Sequence, residues 1–323
     1  MNGKPITIKN VVGYLGDIFN KHGNYNDLVT DRVRKGTVCT INSMALCNDS
    51  EMGCYAIHSL LLLYRSVLVQ TLIFNSETWV GLPTKMVEKL EVSQMKFLKW
   101  MLHTPKGTSN SFTLLELGIL PIRDEIKIRK LSFLHHILNL EDDDPVKCNY
   151  KEQQKFPHEP NWRNEISQYL IELGINSCEE TIKTMSKDIW KNIVKRTIVK
   201  KALIDLHADC IRLKKTSNVP PYQNLIKQEY MDTLSSTMAR TFFQLKAGTY
   251  DVKANRTFRY EDTTCRLCQN DDETVDHVVN QCDQVKCGSP IDINNMHNLL
   301  EEDVIEMVER VHLFQEMIES KDV

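Results

Sequence analysis

Apolar residues recur every three or four positions through much of the chain, which is the spacing of amphipathic helices. In the first 140 residues this spacing predicts four helices, at Asn26–Cys47, Ser50–Phe74, Lys85–His103 and Ile122–Leu140. Ahead of them, β-branched and aromatic residues within 1–25 predict a β-hairpin. Its strands would be residues 5–9 and Val11–Phe19, with a turn near Lys9. The pattern therefore predicts a hairpin followed by a helical bundle over residues 26–140.

Polarity rises after residue 140, and residues 141–164, which include three prolines, are typical of a linker. Helical spacing returns over 165–235, residues 236–290 contain a Cys/His-rich region, and 291–323 predict an acidic amphipathic helix. The helices expected in this half are Glu165–Leu173, Thr181–Leu213, Tyr222–Tyr250 and Asn298–Glu319. The apolar face of the last helix would comprise Leu300, Val304, Met307, Val308, Val311, Phe314 and Ile318. The fold class is accordingly mainly α.

Charge is distributed unevenly along the 323 residues, although the net charge is only −3. Residues 182–215 contain ten Lys or Arg against three Asp, whereas residues 271–323 contain three Lys or Arg against fourteen Asp or Glu. A basic middle region therefore precedes an acidic end. Only the basic region has the charge that a nucleic-acid phosphate backbone would attract.

The cysteines and the apolar runs favour an intracellular protein, in the cytoplasm or the nucleus. Residues 1–9 are polar and lack the apolar stretch of a secretory signal. Cys39, Cys47 and Cys54 lie among apolar residues at helical spacing, as buried thiols do. The apolar run Leu60–Phe74 is interrupted by polar residues and is shorter than the roughly 20 residues that cross a bilayer. We expect a reducing compartment and no membrane partner.

Two cysteines in a Cys-x-x-Cys turn precede a histidine and a third cysteine within a short segment. The four residues are Cys265, Cys268, His277 and Cys282. Three thiolates and one imidazole complete a tetrahedral zinc shell with no position for water, which is the arrangement of structural sites. The sequence therefore predicts one structural Zn²⁺. Cys287 is the alternative to Cys282 as the fourth ligand.

A second candidate site is a basic face on the predicted helix Thr181–Leu213. Its residues are Lys191, Lys195, Arg196, Lys200 and Lys201, placed opposite Ile189, Ile193, Val194 and Ile198. Such a face suits the phosphates of RNA or DNA, although most lysine-rich helix faces are simply solvated. Another basic set leads into the Cys/His region: Arg240, Lys246, Lys253, Arg256, Arg259 and Arg266, of which Arg256 and Arg259 are the candidate phosphate contacts. Phe258 and Tyr260 would stack on bases or, as we favour, form a small core.

Four short motifs, in this order, resemble segments of the reverse transcriptases of non-LTR retrotransposons. Tyr14-Leu-Gly16 is similar to a tripeptide that follows the catalytic palm in that family, and Phe74-Asn-Ser-Glu-Thr-Trp79 to its aromatic-Gly-Ser-Glu-Thr-Trp motif, with Asn75 in place of Gly. The segment Leu115-Glu-Leu-Gly118, followed by Leu120-Pro-Ile122, resembles its Glu-Leu-Gly…Pro segment. The Cys/His cluster resembles its C-terminal Cys-Cys-His-Cys knuckle.

The resemblance implies a helical thumb and knuckle that bind element RNA or target DNA, mainly through phosphates, as part of an RNA-directed DNA polymerase. The family's catalytic aromatic-x-Asp-Asp hairpin does not occur in this sequence. We therefore expect a chain that is inactive alone, that lacks the catalytic palm, and that has a palm-bearing reverse transcriptase chain as one expected partner. The alternative is a zinc-stapled helical protein-interaction module with no nucleic-acid role, which the acidic C-terminal residues favour because they repel phosphates.

Overall fold

A computed structural model describes residues 9–48, 57–176, 178–213, 216, 218–285 and 288–321. Its architecture is mainly helical, which confirms the predicted fold class. The helices are α1 (Asn26–Asn48), α2 (Ile57–Leu63), α3 (Val69–Leu72), α4 (Thr84–Met101), α5 (Asn110–Leu117), α6 (Ile122–Leu138), α7 (Pro145–Glu152), α8 (Trp162–Leu173), α9 (Glu179–Thr184), α10 (Lys187–Arg212), α11 (Tyr230–Thr233), α12 (Ser236–Lys246) and α13 (Glu301–Lys321). A π-helical segment, Tyr64–Leu68, connects α2 directly to α3.

The N-terminal hairpin is present, but its turn lies further along the chain than expected. Strands β1 (Val11–Tyr14) and β2 (Asp17–Asn20) pair antiparallel. Leu15 and Gly16, which connect them, have φ of 48° and 89°. Two positive φ values give a tight turn whose twist matches that of a hairpin, and glycine adopts such values easily. The prediction of one strand over Val11–Phe19 is therefore wrong, while residues 1–8 lie outside the described part of the chain.

The described residues form two compact units that alternate along the sequence. The first contains residues 9–48, 62–97 and 120–202, and the second contains 57–61, 98–119 and 203–321. Long helices explain the alternation, because α4 and α10 each contribute residues to both units. The helical bundle expected over residues 26–140 is consequently divided between them.

The core of the first unit is built around two tryptophans. Trp162 begins α8 and donates through Nε1 to the Glu77 carbonyl at 2.7 Å, while Trp190 in α10 donates to the Leu131 carbonyl at 2.7 Å. Helix α10 buries every fourth residue here, namely Trp190, Val194 and Ile198. Ile189, expected on this buried face, is 54% exposed and Ile193 is half-buried, because a residue one position from the stripe lies about 100° away from it around the helix.

Residues 141–164, expected as a linker, contain a helix. Asp144 caps α7 by accepting the Val146 N–H at 2.8 Å, and Pro145 occupies the first turn. Proline is tolerated at that position because its missing N–H would have no helical partner there. Tyr150 of α7 is buried, and its ring lies 6.0 Å from that of Trp162. The prolines in this segment therefore mark the limits of a short helix that belongs to the core.

Two further differences from the predicted helices occur in the second unit. The predicted helix Tyr222–Tyr250 is wrong at its start, because residues 222–229 are not helical. Helix α5 was not predicted, since it has only eight residues. Ser109 caps its start, and Gly118 ends it with φ of 61°. A Cβ on Gly118 would lie 2.3 Å from the backbone of Ile226, so this position requires glycine.

The C-terminal helix α13 buries the predicted apolar face, apart from one residue. Val304, Met307, Val308, Val311, Phe314 and Ile318 are all buried. Leu300 is 70% exposed and precedes the helix. Arg310 is also buried and donates to the carbonyls of Val279 and Ser289, both at 2.8 Å. Across the described ranges, no helix is both long enough and apolar enough to span a membrane.

Candidate metal centre

The four predicted metal ligands converge in the second unit. One ligand atom from each of Cys265, Cys268, His277 and Cys282 lies within 4.8 Å of all the others. The Cys265 and Cys282 Sγ atoms are 4.0 Å apart, and Cys268 Sγ is 3.2 Å from His277 Nε2. Cys265, His277 and Cys282 are buried, and Cys268 is half-buried. The prediction that these residues form one cluster able to hold a metal ion is confirmed.

The Cys-x-x-Cys segment is a tight turn held by backbone hydrogen bonds. The Gln269 N–H donates to the Cys265 carbonyl at 3.1 Å, and the chain reverses at Gln269, where φ is 58°. The Cys265 N–H then donates to the Asp271 carbonyl at 2.8 Å. Because both thiols lie on one reversing loop, they face the same point in space, as zinc-binding loops of this spacing require.

His277 and Cys282 are brought together by a π-helical turn over His277–Gln281. The Cys282 N–H donates to the His277 carbonyl at 2.7 Å, five residues earlier. This wide turn needs fewer degrees of rotation per residue than an α-helix, so side chains five positions apart lie closer around the axis. The segment that joins these two ligands is therefore helical, in π-helical form.

A buried carboxylate holds the loops around the cluster. Glu273 is fully buried and accepts from the backbone N–H groups of Lys253 and Arg266, both at 3.0 Å. The Arg266 guanidinium also binds it at 2.6 Å, and these bonds raise the pKa of Arg266. Sequence reasoning missed Glu273 because it lies in the acidic stretch 271–276, which is typical of a solvated loop. The fold distinguishes Glu273 from its neighbours by burying it.

Burial and hydrogen bonding act differently on the thiols. Burial raises the pKa of the Cys282 thiol to about 12. At Cys268 burial also acts to raise the pKa, but hydrogen bonds led by the Asn270 N–H outweigh it, so that the pKa is lowered. A divalent cation binds thiolates and would stabilise the ionised form of both groups. The pKa values of these two thiols are therefore shifted in opposite directions, and a bound cation would favour the thiolate at both.

The imidazole of His277 presents Nε2 to the thiols and Nδ1 to the opposite side. Within the described residues, Nδ1 is buried and has no hydrogen-bond partner. The nearest carboxylate oxygen is Oδ2 of Asp271, 4.0 Å away. Metal-bound histidines usually donate their second ring N–H to a carboxylate or carbonyl, which fixes the ring orientation. Asp271 is the residue positioned for that contact.

The spacing of the donor atoms fits a tetrahedral cation. With metal–sulfur bonds of about 2.3 Å and metal–nitrogen bonds of about 2.0 Å, a tetrahedral ion would place a sulfur and a nitrogen roughly 3.5 Å apart and two sulfurs roughly 3.8 Å apart. The observed sulfur–nitrogen separation is 3.2 Å and the observed sulfur–sulfur separation is 4.0 Å. All three cysteines are free thiols. Cys282 is the third cysteine of the observed cluster, and Cys287, the alternative ligand, lies outside the described residues.

The five predicted phosphate contacts on α10 all reach solvent. Lys191, Lys195, Arg196, Lys200 and Lys201 are exposed along this helix. As far as the described residues go, no carboxylate lies within ion-pair distance of any of them. Lys195 does lie close enough to Glu125 that its charge acts to lower the pKa of Glu125, although burial is the larger effect and raises it. The helix therefore presents a basic surface with little local neutralisation.

The second basic set is mostly used inside the fold. Arg240 is buried and donates to the Met101 carbonyl at 2.8 Å, and Lys246 is buried against Glu116. Arg256 is half-buried, pairs with Asp251 at 3.1 Å and donates to the Thr249 carbonyl at 3.1 Å. These contacts occupy the Arg256 guanidinium, so the expected role of Arg256 as a phosphate contact is not favoured by its position.

Arg259 and Phe258 are both exposed. Arg259 is the only exposed cation of the second basic set, all six members of which are described. Phe258 is 83% exposed. The expectation that Phe258 belongs to a small core is therefore wrong, since its ring lacks the burial that a core residue has. Tyr260 is half-buried, and Lys253 Nζ lies 6.0 Å from the centre of its ring.

Residues of two motif segments, and the residue that follows a third, take part in buried or half-buried polar contacts. In the first unit, Asp17 follows the Tyr14–Gly16 turn and pairs with Arg32 at 2.5 Å, and it also accepts a hydrogen bond from Asn75. The Asn75 side chain replaces a glycine of the resembled motif, and φ of Asn75 is 59°, in the left-handed region that glycine favours. In the second unit, Glu116 of the Leu115–Gly118 segment is fully buried.

Comparison with known proteins gave no match to any family model, to any curated protein or to any solved structure.

Proposed function

We propose that this chain is the thumb and metal-knuckle portion of a non-LTR retrotransposon reverse transcriptase, and that it binds nucleic acid without polymerising it. The proposal that the chain binds nucleic acid rests on the basic surface of α10, which is exposed and not neutralised by nearby carboxylates. The net charge of residues 182–215, which include this helix, is +7. The family part rests on the four motifs and their order. Asn75 and Glu116 of these motifs, and Asp17, which follows the first motif, take part in buried or half-buried polar contacts.

Zinc is the ion that we propose for the Cys265, Cys268, His277 and Cys282 cluster. Soft thiolate ligands select zinc or copper(I) over magnesium and calcium, and a tetrahedral S₃N set is typical of structural zinc. With four protein ligands no coordination position is left for water or substrate. The ion would therefore hold the loops around Glu273 and the π-helical turn in place, and would take no part in a reaction.

The basic surface of α10 is proposed to contact phosphates. Lys195, Arg196, Lys200 and Lys201 extend over about one and a half turns of helix, and so could follow successive phosphates of one strand. Contacts of this kind position a nucleic acid but do not read its sequence. Arg259 is the only member of the second set whose exposure suits the same role. The test is a fluorescence titration of structured RNA at several salt concentrations.

We propose, from the sequence, that this chain alone does not catalyse polymerisation. Metal-dependent phosphoryl transfer needs carboxylates that hold two metal ions close together. The two Asp-Asp sequences of this chain, in Glu141–Asp144 and at Asp271-Asp272, lack the preceding aromatic residue of the family's catalytic hairpin. Asp144 is instead a helix cap, and the Asp271 backbone carbonyl accepts from the Cys265 N–H. Polymerisation would require a palm-bearing chain as partner.

A protein-interaction module stapled by the same metal is the second candidate, and the acidic surface of α13 favours it. Glu301, Glu302, Glu309, Glu316 and Glu319 are exposed on this helix. Such a surface repels phosphates and attracts basic protein segments. The two candidates differ in the salt titration, because only the first predicts RNA affinity that falls steeply with salt. An absence of RNA binding would leave the interaction module as the better account.

A further inference from the structure

An exposed aromatic residue, Phe258, lies seven positions before the metal ligand Cys265 in the sequence. Phe258 is 83% exposed, in a segment where Thr257 and Arg259 are exposed as well. Exposing a phenylalanine ring to water is unfavourable relative to burying it. The metal-binding region nevertheless presents this ring, next to an arginine that has no ion-pair partner among the described residues. A ring and a cation presented together suit a ligand with flat faces and negative charge.

A cavity of about 650 Å³ has Tyr260 and the metal ligand Cys265 among its lining residues. It is lined by Lys253, Tyr260, Arg266 and Lys321 from three separate segments, and by the metal ligand Cys265. Its volume lies in the range of small-molecule and nucleotide sites, which is about 300–1,000 Å³. Tyr260 lies only two positions after Phe258. The Cα atoms of the exposed Phe258 and of Tyr260, which lines the cavity, can therefore be no more than about 7 Å apart.

Two cations of the cavity are available to a ligand, and one carboxylate opposes them. Arg266 is neutralised by the buried Glu273. Lys253 Nζ donates to the Thr264 carbonyl at 2.8 Å, and Lys321 Nζ donates to the Leu267 carbonyl at 3.4 Å, so both ammonium groups keep further donors. Asp262 Oδ2 lies 3.5 Å from Lys253 Nζ on the solvent side and is the competing anion.

We propose that Phe258 and Tyr260 stack on the bases of a single-stranded nucleic acid, whose phosphates lie against Lys253 and Lys321. This rests on the proposed function, since it requires that the chain binds nucleic acid at all. Single strands expose base faces that aromatic side chains can cover, whereas a duplex stacks its bases on one another. The surface therefore selects unpaired RNA or DNA, in contrast to the phosphate contacts of α10, which any strand can make.

The test measures affinity for one sequence as single-stranded RNA, as single-stranded DNA and as a duplex. Phe258→Leu keeps an apolar side chain but removes the ring, and we expect it to weaken single-strand binding about tenfold while leaving duplex binding unchanged. The slope of affinity against salt should stay the same, because stacking neutralises no phosphate. Phe258→Trp should bind at least as tightly as the wild type. The two single-strand arms show whether a 2′-hydroxyl matters.

Phe156 provides the matched control, since it is 50% exposed and lies in the first unit, outside the metal-binding region. Phe156→Leu should leave all affinities unchanged. Asp262→Asn keeps the oxygen that accepts from the Thr264 N–H at 2.9 Å but removes the charge, and it should strengthen single-strand binding. Metal content, measured for each variant, separates loss of stacking from loss of the fold.

The outcomes distinguish this inference from the proposed function. If the wild-type chain binds no nucleic acid, the proposed function is wrong and this inference fails with it. If the chain binds nucleic acid through α10, and Phe258→Leu with full metal content changes nothing, only the stacking surface is wrong. If Phe258→Leu weakened single-strand and duplex binding equally, the stacking proposal would also be wrong, because Phe258 would then contact nucleic acid whether or not the bases are exposed.

Discussion

Lys246 Nζ lies 2.9 Å from both carboxylate oxygens of Glu116, and neither side chain is more than 4% exposed. The hydroxyl groups of Tyr222 and Tyr230 donate to the same carboxylate. Glu116 belongs to the Leu115–Gly118 motif, and Lys246 ends α12, the last helix before the metal-binding region. The pair thus joins two segments of the second unit that are 130 residues apart.

Breaking this pair from one side should be strongly destabilising. Lys246→Met leaves a buried carboxylate without its cation, so we expect the free energy of unfolding to fall by about 3–5 kcal/mol. In Glu116→Gln/Lys246→Met no charge remains, and the Gln oxygen still accepts from the two tyrosines. The double variant should therefore recover part of the loss. Urea denaturation measures the free energy of unfolding of the single and the double variant. Equal values for the two variants would show that the charge pairing is unimportant.

The same pair predicts a loss of stability in acid. Burial, the largest effect, acts to raise the pKa of Glu116, but the charge of Lys246 and the hydrogen bonds outweigh it and lower the pKa. A carboxyl whose pKa is lower in the folded state stabilises the fold above its unfolded pKa, and this contribution is lost as the pH falls through the folded pKa. Urea denaturation from neutral pH to about pH 3 should show this decline, and a smaller decline in the double variant.

Purified protein should contain one tightly bound zinc ion per chain. Cys268→Ser should lose it, because three remaining ligands bind far more weakly. Structural zinc contributes folding free energy on the order of 10 kcal/mol in small finger peptides. Chelation should therefore unfold the region from Arg256 to Gln284, while the helices before Pro220 persist. Metal analysis and hydrogen exchange with and without chelator measure the two effects.

The fourth ligand is tested by a matched pair of variants. Cys282 is buried with its sulfur 4.0 Å from that of Cys265, so Cys282→Ser should lose the ion. Cys287→Ser should retain it. If instead the Cys287 variant loses zinc and the Cys282 variant keeps it, the observed cluster is not the metal site of the protein in solution.

Primer extension should give no product with this chain alone, in either magnesium or manganese. The chain lacks the carboxylate hairpin that would hold two metal ions, and the Asp-Asp sequences it does contain have other structural roles. A template-dependent product that survives removal of contaminating polymerases would contradict the proposed function. Activity that arises only when a palm-bearing chain is added would support it.

The metal cluster was predictable because its chemistry is local. Ligand identity and spacing within the 18 residues from Cys265 to Cys282 are enough to define a tetrahedral site. Most helix positions were also predictable from apolar periodicity, as α10 and α13 show. The hairpin turn was misplaced because β-branched or aromatic residues lie on both sides of Leu15 and Gly16, which made the whole segment Val11–Phe19 resemble one strand.

The long-range polar contacts could not be predicted from the sequence. Glu116 and Glu273 occur in motifs that read as ordinary helix and solvated loop, yet both are fully buried. Their partners are fixed by the tertiary fold, as is the burial of Arg240 and Arg256. Conversely, Phe258 has an apolar side chain, which favours a core position, but the fold leaves it in solvent. Burial is a property of the whole chain, and local composition indicates it poorly for single residues.

RNA affinity should depend on salt through the basic surface of α10. Lys195, Arg196, Lys200 and Lys201 are exposed, and replacing all four by Ala removes four possible phosphate contacts. For single strands each contact adds roughly 0.7 to the slope of log affinity against log salt, so the variant should lose up to about 2.8. Its affinity should fall for every sequence alike, because phosphate contacts do not read bases.

The control replaces four other exposed lysines, Lys85, Lys89, Lys96 and Lys106, by Ala. Both variants lose four positive charges. A difference between them therefore reports direct phosphate contacts and not the effect of net charge on RNA affinity. We expect the control to keep the salt slope of the wild type. Equal slopes in both variants would mean that α10 is only a solvated helix face. In that case the acidic surface of α13 becomes the candidate interaction site. Variants that remove charge, such as Glu309→Gln and Glu316→Gln, test it. Truncation is unsuitable because the other face of α13 is buried in the fold.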